Sequence, residues 1–438
     1  MIIPTEPIGP LPRPAALVGA LATMQPDDPR LEPLYADAIR DTIERLQAVG
    51  SPVVTDGEAR PIGRLWLDGV ATAGLRGLAS IDADGLPLPH PEGAARRLPR
   101  LLAGPFHPVR RADHDLALAV RLAQVPVKQT VLSPSAFSLL YPAADLDGYP
   151  REAFLQDVLD AHEATVRAAF EQGARWVQID FSDARLALAL DPGGRLLEGL
   201  VHLNSLALAR FSDDERARIG VHLGLIGAPV LDSAADDGYE VLLPQLLRLK
   251  AGRFEVPLAG ARDPVRALRL IREHLPQPGP RVFVGVVAPG DADVETAEQV
   301  RDRTLQAAGH IPLEQLGTTD DAGYGDAGDD DAVTRRERAF ANIRARVEGT
   351  ALAAAALELF GRSPYEVVLA DVGLPGLSGT ELARRLRRSH PDTWLVLCSG
   401  ALHDAPADDA SGRIRMLTKP FTMDELERLL GEIEGPAR

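Results

Sequence analysis

The stretch GVHLGLIG, residues 220–227, places one histidine in an otherwise apolar run. Val221, Leu223 and Leu225 are apolar, and His222 lies close to where a strand of this length would open into a loop. Strands of a parallel sheet that is covered by helices are continuous apolar runs. The stretch therefore predicts a buried parallel strand that presents one histidine near its carboxyl end.

Seven further runs have the same apolar character and alternate with helical patterns. They are residues 5–11, 51–58, 126–132, 176–182, 253–259, 281–287 and 313–319. Residues 35–50, 151–173 and 238–252 are examples of the helical patterns, and each ends at a glycine or just before one. Eight strands that alternate with helices predict an α/β fold of the (β/α)8 TIM-barrel type. Active sites of this fold lie at the carboxyl ends of the strands.

Composition narrows the classes of function. The formal net charge of −16 argues against a nucleic-acid partner or an anionic membrane surface. Cys398 is the single cysteine of the chain, so a disulfide framework is excluded. The first residues carry no basic stretch followed by an apolar run, and no run approaches the length of a membrane-spanning helix. We expect a cytoplasmic protein.

A second α/β pattern follows the barrel. An acidic, glycine-rich loop (318–332) leads into a helix at 333–361, after which the pattern changes. Three short buried strands are predicted at 365–372, 393–400 and 414–421, with helices at 379–391 and 422–433. The sequence thus predicts two domains, a barrel over 1–355 and a small flavodoxin-like unit over 356–438.

Several motifs of the first domain follow one another in a specific order along the chain. They are PIGPLPRP, VVTDGEA, VKQTVLSPS, WVQIDFSDARLAL, GVHLGLI, VFVGVVAPGDADVETAEQVRDR, IPLEQLGTTDDAGYG and RERAFANIRARVEGTALAA. Together they resemble the catalytic barrel of cobalamin-independent methionine synthases, and more closely the shorter relatives that include epoxyalkane:coenzyme M transferases. The resemblance implies a barrel that binds a thiol at zinc, where the metal holds a thiolate for attack on a methyl or alkyl donor.

The resemblance also implies a zinc site, and this sequence departs from it. The family uses a His-x-Cys pair, a carboxylate at the end of a later strand, and a cysteine in a DDCG-like turn. His222 matches the histidine, whereas Gly224 and Ala322 stand at the two cysteine positions. Glu255 is the nearest candidate for the carboxylate, several residues before the expected strand end. We expect less than one tightly bound zinc per chain, because zinc sites need three or four protein ligands.

Two further readings of this region stay open. Three aspartates could supply oxygen ligands, namely Asp236, Asp320 and Asp321. Alternatively, His222 is a hydrogen-bonded pocket histidine that binds no metal.

The resemblance also marks substrate-binding positions. The family's IGS turn reads Ile8-Gly9-Pro10, and proline supplies neither the serine hydroxyl nor an N–H. Glu58 and Asp180 match residues that hold the substrate's ammonium group, and both follow predicted strands. Four more residues match positions near the family's pocket: Arg13, Arg60, Trp66 and Lys128. The small molecule expected here is amino-acid-like or a thiol.

The second domain resembles the latter part of a response-regulator receiver. VVLADVGLPGLSG, LVLCSG and LTKPF match its motifs in order. The resemblance makes Asp371 the phosphoacceptor and Ser399 and Lys419 the pocket residues that contact the phosphoryl group. Receivers also bind Mg²⁺ through an acidic pair after their first strand, which is missing from this pattern. The unit is therefore predicted to be truncated, unless Asp329–Asp331 supply the acids.

Two functions remain open at this point. The first is a thiol methyl- or alkyl-transferase relative with an altered metal site. The second is a catalytically inactive regulatory or interaction protein whose receiver-like unit contacts a protein partner.

Overall fold

The structure is a computed structural model. It describes residues 2–25, 28–60, 87–88, 96–98, 100–106, 115–224, 238–289, 293–325, 330–362, 366–371, 393–400 and 413–434. Two short strands pair antiparallel, β1 (Pro87–Leu88) with β2 (Arg96–Arg97). Six parallel strands form the barrel sheet in chain order: β3 (Lys128–Leu132), β4 (Trp176–Asp180), β5 (Ile219–His222), β6 (Arg253–Val256), β7 (Arg281–Val287) and β8 (Leu316–Asp320). The α/β barrel class predicted from the sequence is confirmed.

Two N-terminal segments occupy the remaining strand positions of the barrel. Thr5 forms a parallel bridge with Thr318 of β8, and Val54 forms one with Val127 beside β3. The Leu11 N–H donates to the Gly57 carbonyl at 2.9 Å, which joins the two segments to each other. The predicted strands 5–11 and 51–58 are therefore single bridges rather than full strands.

Helices surround the sheet and bury its outer face. In chain order they are α1 (Ala15–Leu21), α2 (Glu32–Ala48), α3 (Leu116–Leu122), α4 (Pro134–Ser138), α5 (Arg151–Glu171), α6 (Asp183–Leu190), α7 (Arg195–Leu208), α8 (Asp213–Arg216), α9 (Tyr239–Leu246), α10 (Pro264–His274), α11 (Ala297–Ala308) and α12 (Ala332–Arg362), with a 3-10 turn at Pro29–Leu31. Alternate strand residues such as Val177, Ile179 and Val221 are buried in the layer between strands and helices. Among the described helices, none is both long and apolar enough to cross a bilayer.

The C-terminal part contains a second, three-stranded parallel sheet. Its strands are β9 (Val367–Asp371), β10 (Trp394–Ser399) and β11 (Ile414–Thr418), with β10 in the centre. The helix Met423–Glu434 follows, and Thr422 and Glu425 exchange hydrogen bonds at its start, as in a capping box. The predicted helix 379–391 lies outside the described residues.

Helix α12 runs unbroken from Ala332 to Arg362, between the last barrel strand and β9 in the sequence. Its first half packs on the barrel, where Ala339, Phe340 and Ile343 are buried. Its second half includes Leu359, which is 58% exposed. The domain boundary predicted at 355/356 lies inside this helix and stays a prediction.

Candidate functional site

His222 and Asp180 meet at the carboxyl end of the barrel sheet. They are the last residues of β5 and β4 and are register partners. His222 is buried, its Nδ1 lies 3.4 Å from Asp180 Oδ1, and its Nε2 lies 3.3 Å from the Asp321 carbonyl. Nε2 is within hydrogen-bonding distance of the Asp321 carbonyl, whereas Nδ1 is close to Asp180 without a hydrogen bond to it. His222 therefore lies between the end of β4 and the turn after β8.

Ser182 occupies the space beside Gly224. Its hydroxyl donates to Asp180 Oδ1 at 2.5 Å. A Cβ on Gly224 would overlap Ser182 Oγ and lie 2.7 Å from Asp180 Oδ1. The volume that a cysteine side chain at 224 would need is therefore filled by Ser182 and Asp180.

Asp321 is held by backbone amides. Its Oδ1 accepts from the N–H groups of Leu258 and Ala259 at 2.8 and 2.9 Å, and its Oδ2 accepts from Gly260 at 2.7 Å. Burial raises the pKa of Asp321 to about 6, although these amides partly offset the effect. The loop after β6 thus presents donors to a carboxylate, where the resemblance places a carboxylate ligand.

Asp320 connects the same turn to α12. Its Oδ1 accepts from Tyr324 Oη at 3.0 Å and lies 3.3 Å from Nε of the fully buried Arg346. The Tyr324 N–H donates to the Pro10 carbonyl at 2.7 Å. Asp320 and Asp321 therefore both have internal partners that compete with any metal.

Glu255 is the register partner of His222 on β6 and faces the barrel interior. It is fully buried, and a Cβ on Gly220 would lie 2.7 Å from its Oε1. Lys128 and Arg253 lie close to it, and both pair with Glu6, at 3.1 and 2.6 Å. Burial raises the pKa of Glu255 to about 7. Glu255 thus belongs to an interior charge cluster with Glu6, Lys128 and Arg253.

These residues do not fit a zinc ion. Among the described part of the chain, no group of three or more His, Cys, Asp or Glu side chains is placed to hold a metal. His222 Nε2 faces the Asp321 carbonyl, Glu255 lies in the interior cluster, and backbone amides donate to Asp321. The metal content of the protein stays a prediction. Asp236 lies outside the described residues.

Glu58 and Gly9 lie together at the predicted substrate position. Glu58 has a positive φ of 49°, which is strained for a non-glycine residue, and its N–H donates to Asp56 at 2.9 Å. A Cβ on Gly9 would overlap Glu58 Oε1 and lie 3.1 Å from Thr130 Oγ1. Gly9 therefore lets the carboxylate lie directly on the Ile8–Gly9 backbone.

Glu58 and Asp180 follow strand positions that flank β3. Val54 bridges to Val127, and Leu132 of β3 is the register partner of Asp180. Two strand spacings amount to about 10 Å between backbones, enough for a small ligand between the side chains. Their convergence on one ligand stays a prediction.

The remaining predicted pocket residues have other partners. Arg13 donates to the Ala59 carbonyl at 2.7 Å, and Arg60 pairs with Glu32 and Asp115. Lys128 donates to Gln178 as well as Glu6. Trp66 lies outside the described residues.

A buried polar cluster beside Asp180 escaped the sequence reasoning. The Ser133 hydroxyl donates to Asp183 at 2.7 Å, and Asn204 donates to Ser135 at 2.9 Å. Burial raises the pKa of Asp183 to about 7. The sequence signals for this cluster were the repeated serine in LSPS after β3 and, far from it in the sequence, the second aspartate in DFSD after β4.

The three receiver positions lie at neighbouring strand ends. Asp371 ends β9 opposite Cys398, Ser399 ends β10 opposite Thr418, and Lys419 follows β11 directly. Because the strands are parallel, these positions share one edge of the sheet.

The acidic residues just before α12 form hydrogen bonds and an ion pair with residues of that helix. Asp331 accepts from the N–H groups of Val333 and Thr334, and Asp330 pairs with Arg338. Asp329 lies outside the described residues.

Comparisons with known proteins agree with both parts of the fold. Residues 329–430 match the family model of the response regulator receiver domain. The receiver protein CpdR of Brucella abortus is 35% identical over 83 residues, which cover 18% of this chain and 67% of CpdR. Other curated relatives of this segment are spanned over only 7% and 36% of their length.

The barrel is similar to two further proteins. The B12-independent methionine synthase from Shewanella sp. W3-18-1, solved with selenomethionine, is 17% identical with a TM-score of 0.63. That match covers 82% of this chain and all of the other. The uncharacterized protein YxjH of Bacillus subtilis is 24% identical over 334 residues, covering 72% of this chain and 84% of YxjH.

The molecule is thus a barrel with the fold of the cobalamin-independent methionine synthases, continued by a receiver unit. Its C-terminal segment belongs to the response regulator receiver family.

Proposed function

We propose that the barrel binds a small amine-bearing molecule without zinc-dependent transfer chemistry, and that the receiver unit gives the protein a regulatory role. One observation carries the proposal: Ser182 and Asp180 fill the space at Gly224, where the family places a metal-binding cysteine. Zinc would serve there to hold a thiolate. With the ligand positions replaced, the Asp180 carboxylate is left to bind a cation.

The proposed binding step uses the residues of the barrel alone. Asp180 keeps 28% of its side chain exposed, while His222 and Ser182 fix its orientation. Glu58 supplies a second carboxylate from the opposite side of β3. Two oriented carboxylates favour an ammonium group by charge and by hydrogen bonding.

Two measurements test the proposal. Elemental analysis after mild chelation should find less than one zinc per chain, and stoichiometric zinc would instead support the transferase. Calorimetric titration with small amines and amino acids should detect binding that Asp180→Ala weakens by about 1–3 kcal/mol. Ser205→Ala on α7 is the matched control away from the pocket.

The transferase remains the second candidate, supported by the fold and by the retained His222–Asp180 pair. Thiol-dependent methyl or alkyl transfer that survives complete metal removal would favour it over the regulatory function. For the regulatory function, we also propose that the protein is cytoplasmic and that a protein partner contacts the receiver unit.

A further inference from the structure

The chain carries only cationic charge where it enters β4, β6 and β7. Five charged side chains occur in residues 172–175, 247–253 and 275–281, and all are cationic: Arg175, Arg248, Lys250, Arg253 and Arg281. Each of these stretches joins the end of a helix to the start of a parallel strand, so all of them lie at the amino end of the barrel. Cations are therefore concentrated at the end opposite the candidate pocket, on a chain whose formal net charge is −16.

Hydrogen bonds bring these connections together. The Gly252 N–H donates to the Arg216 carbonyl at 2.9 Å, and the Arg281 N–H donates to the Gly252 carbonyl at 3.1 Å. Arg218, which directly precedes β5, donates through Nε to the Arg175 carbonyl at 3.1 Å. The connections into β4, β5, β6 and β7 thus form one continuous surface.

An aromatic ring lies between two of the cations. Trp176 is the half-buried first residue of β4, and its ring lies 5.6 Å from the Arg175 guanidinium and 4.5 Å from that of Arg253. Burial, followed by the nearby Arg175 charge, lowers the pKa of Arg218. Neighbouring cations therefore repel one another at this surface, and an anion that binds among them would relieve the repulsion.

The acidic residues of α8 lie in one of these connections and have cationic partners of their own. Glu215 pairs with Arg167 of α5 at 2.6 Å. Asp213 pairs with Arg216 within α8 itself. These two carboxylates are thus already engaged with cations outside the stretches that enter β4, β6 and β7.

Three of the cations reach the surface. Arg175, Lys250 and Arg281 are all exposed. Asp214 and Glu314 are the other acidic residues in the connections into β5 and β8, and they leave the cations in excess. The amino end of the barrel therefore presents accessible positive charge around a half-buried tryptophan.

We propose that the amino end of the barrel binds a short acidic segment of a partner protein, whose carboxylates pair with Arg175, Lys250 and Arg281. A guanidinium group can pair with a carboxylate through two parallel hydrogen bonds. Apolar side chains of the segment contact the exposed part of Trp176. This surface is separate from the candidate pocket at the carboxyl ends of the strands.

The size of the surface favours a short segment over a long polyanion. Four neighbouring strands extend about 14 Å across a sheet, which is the length of a few extended residues or of about three helical turns. A nucleic acid would continue beyond the cations onto the rest of an acidic chain, which would repel it. A short acidic segment of a protein avoids that repulsion.

Fluorescence anisotropy of a labelled glutamate-rich peptide with the full chain tests the proposal at low salt. A peptide in which glutamine replaces each glutamate should bind about tenfold or more weakly. The variant Arg175→Gln/Lys250→Gln/Arg281→Gln changes only exposed side chains, and it should weaken binding of the glutamate peptide by about tenfold or more.

A matched control separates this surface from the net charge of the chain. The variant Arg40→Gln/Arg195→Gln/Arg269→Gln removes the same charge at exposed positions on other helices, and it should weaken binding by less than about twofold. Equal losses in the two triple variants would overturn the proposal, as would a parent protein that does not bind the glutamate peptide. Tighter binding of a short single-stranded oligonucleotide than of the peptide would overturn the assignment to a protein partner.

Discussion

At the scale of single residues, Gly224 determines what the barrel site can do. Glycine leaves a space that the Ser182 hydroxyl enters, and that hydroxyl holds Asp180 at 2.5 Å. Asp180 in turn faces His222. The three side chains form one unit, so a change at 224 affects the orientation of the carboxylate as well as the local packing.

The variant Gly224→Cys should destabilise the protein by about 1–3 kcal/mol, because its Cβ would overlap Ser182. Urea denaturation measures the change. The double variant Gly224→Cys/Ser182→Gly should recover most of the loss, and Ala322→Cys, at a half-buried position, should be close to neutral. A stable Gly224→Cys protein that gains zinc would contradict this account.

The sequence predicted the positions of single site residues where the family resemblance marked them. It did not predict contacts between residues that are far apart in the sequence. Asp180 and His222 lie at strand ends as expected. The hydrogen bond from Leu258 to Asp321 joins residues 63 positions apart, and no local sequence pattern predicts it. Ser182 is two residues from Asp180, but its role depends on Gly224 of the next strand.

At the scale of elements, the apolar runs predicted the six regular strands well, with ends shifted by a few residues. The first two predicted strands shrink to bridges at Thr5 and Val54. Each segment carries prolines, Pro7 and Pro10 in one and Pro52 in the other, and proline removes a donor from a ladder. The apolar composition of these segments did not show that each would form only a single β-bridge with its neighbouring strand.

The length of α12 determines whether the acidic residues at its start can share a metal ion with Asp371. A helix of 31 residues extends about 45 Å, whereas the nine residues from Arg362 to Asp371 return at most about 32 Å. The acids at the start of α12 therefore stay at least about 13 Å from Asp371 by backbone distance, too far to share one Mg²⁺.

Asp371 should consequently be phosphorylated poorly by acetyl phosphate with Mg²⁺, since phosphoryl transfer relies on the metal to neutralise charge. Intact-mass measurement should show an unmodified chain under conditions that phosphorylate a complete receiver. A phosphoryl adduct that disappears in Asp371→Asn would demonstrate a functional phosphoacceptor instead.

At the scale of the whole molecule, buried carboxyl groups link stability to pH. Burial raises the pKa of Glu255 and Asp183 to about 7, and that of Asp56 and Asp321 to about 6. Each group contributes most to stability below its unfolded pKa, and the contribution is lost as pH rises through the folded value. His162 acts in the opposite direction, because burial lowers its pKa to about 4, but its effect ends near pH 6.5.

Stability should therefore fall between about pH 6.5 and pH 8, where the buried carboxyl groups ionise and His162 no longer contributes. Urea midpoints at several pH values measure the fall. Glu255→Gln replaces one ionising group with a neutral side chain of the same shape, so its profile should be flatter than that of the parent protein. The exposed Glu152→Gln should leave the profile unchanged. A parent protein whose stability rises over this range would mean that Glu255 and Asp183 are already ionised, and that Lys128 and Arg253 dominate the interior cluster.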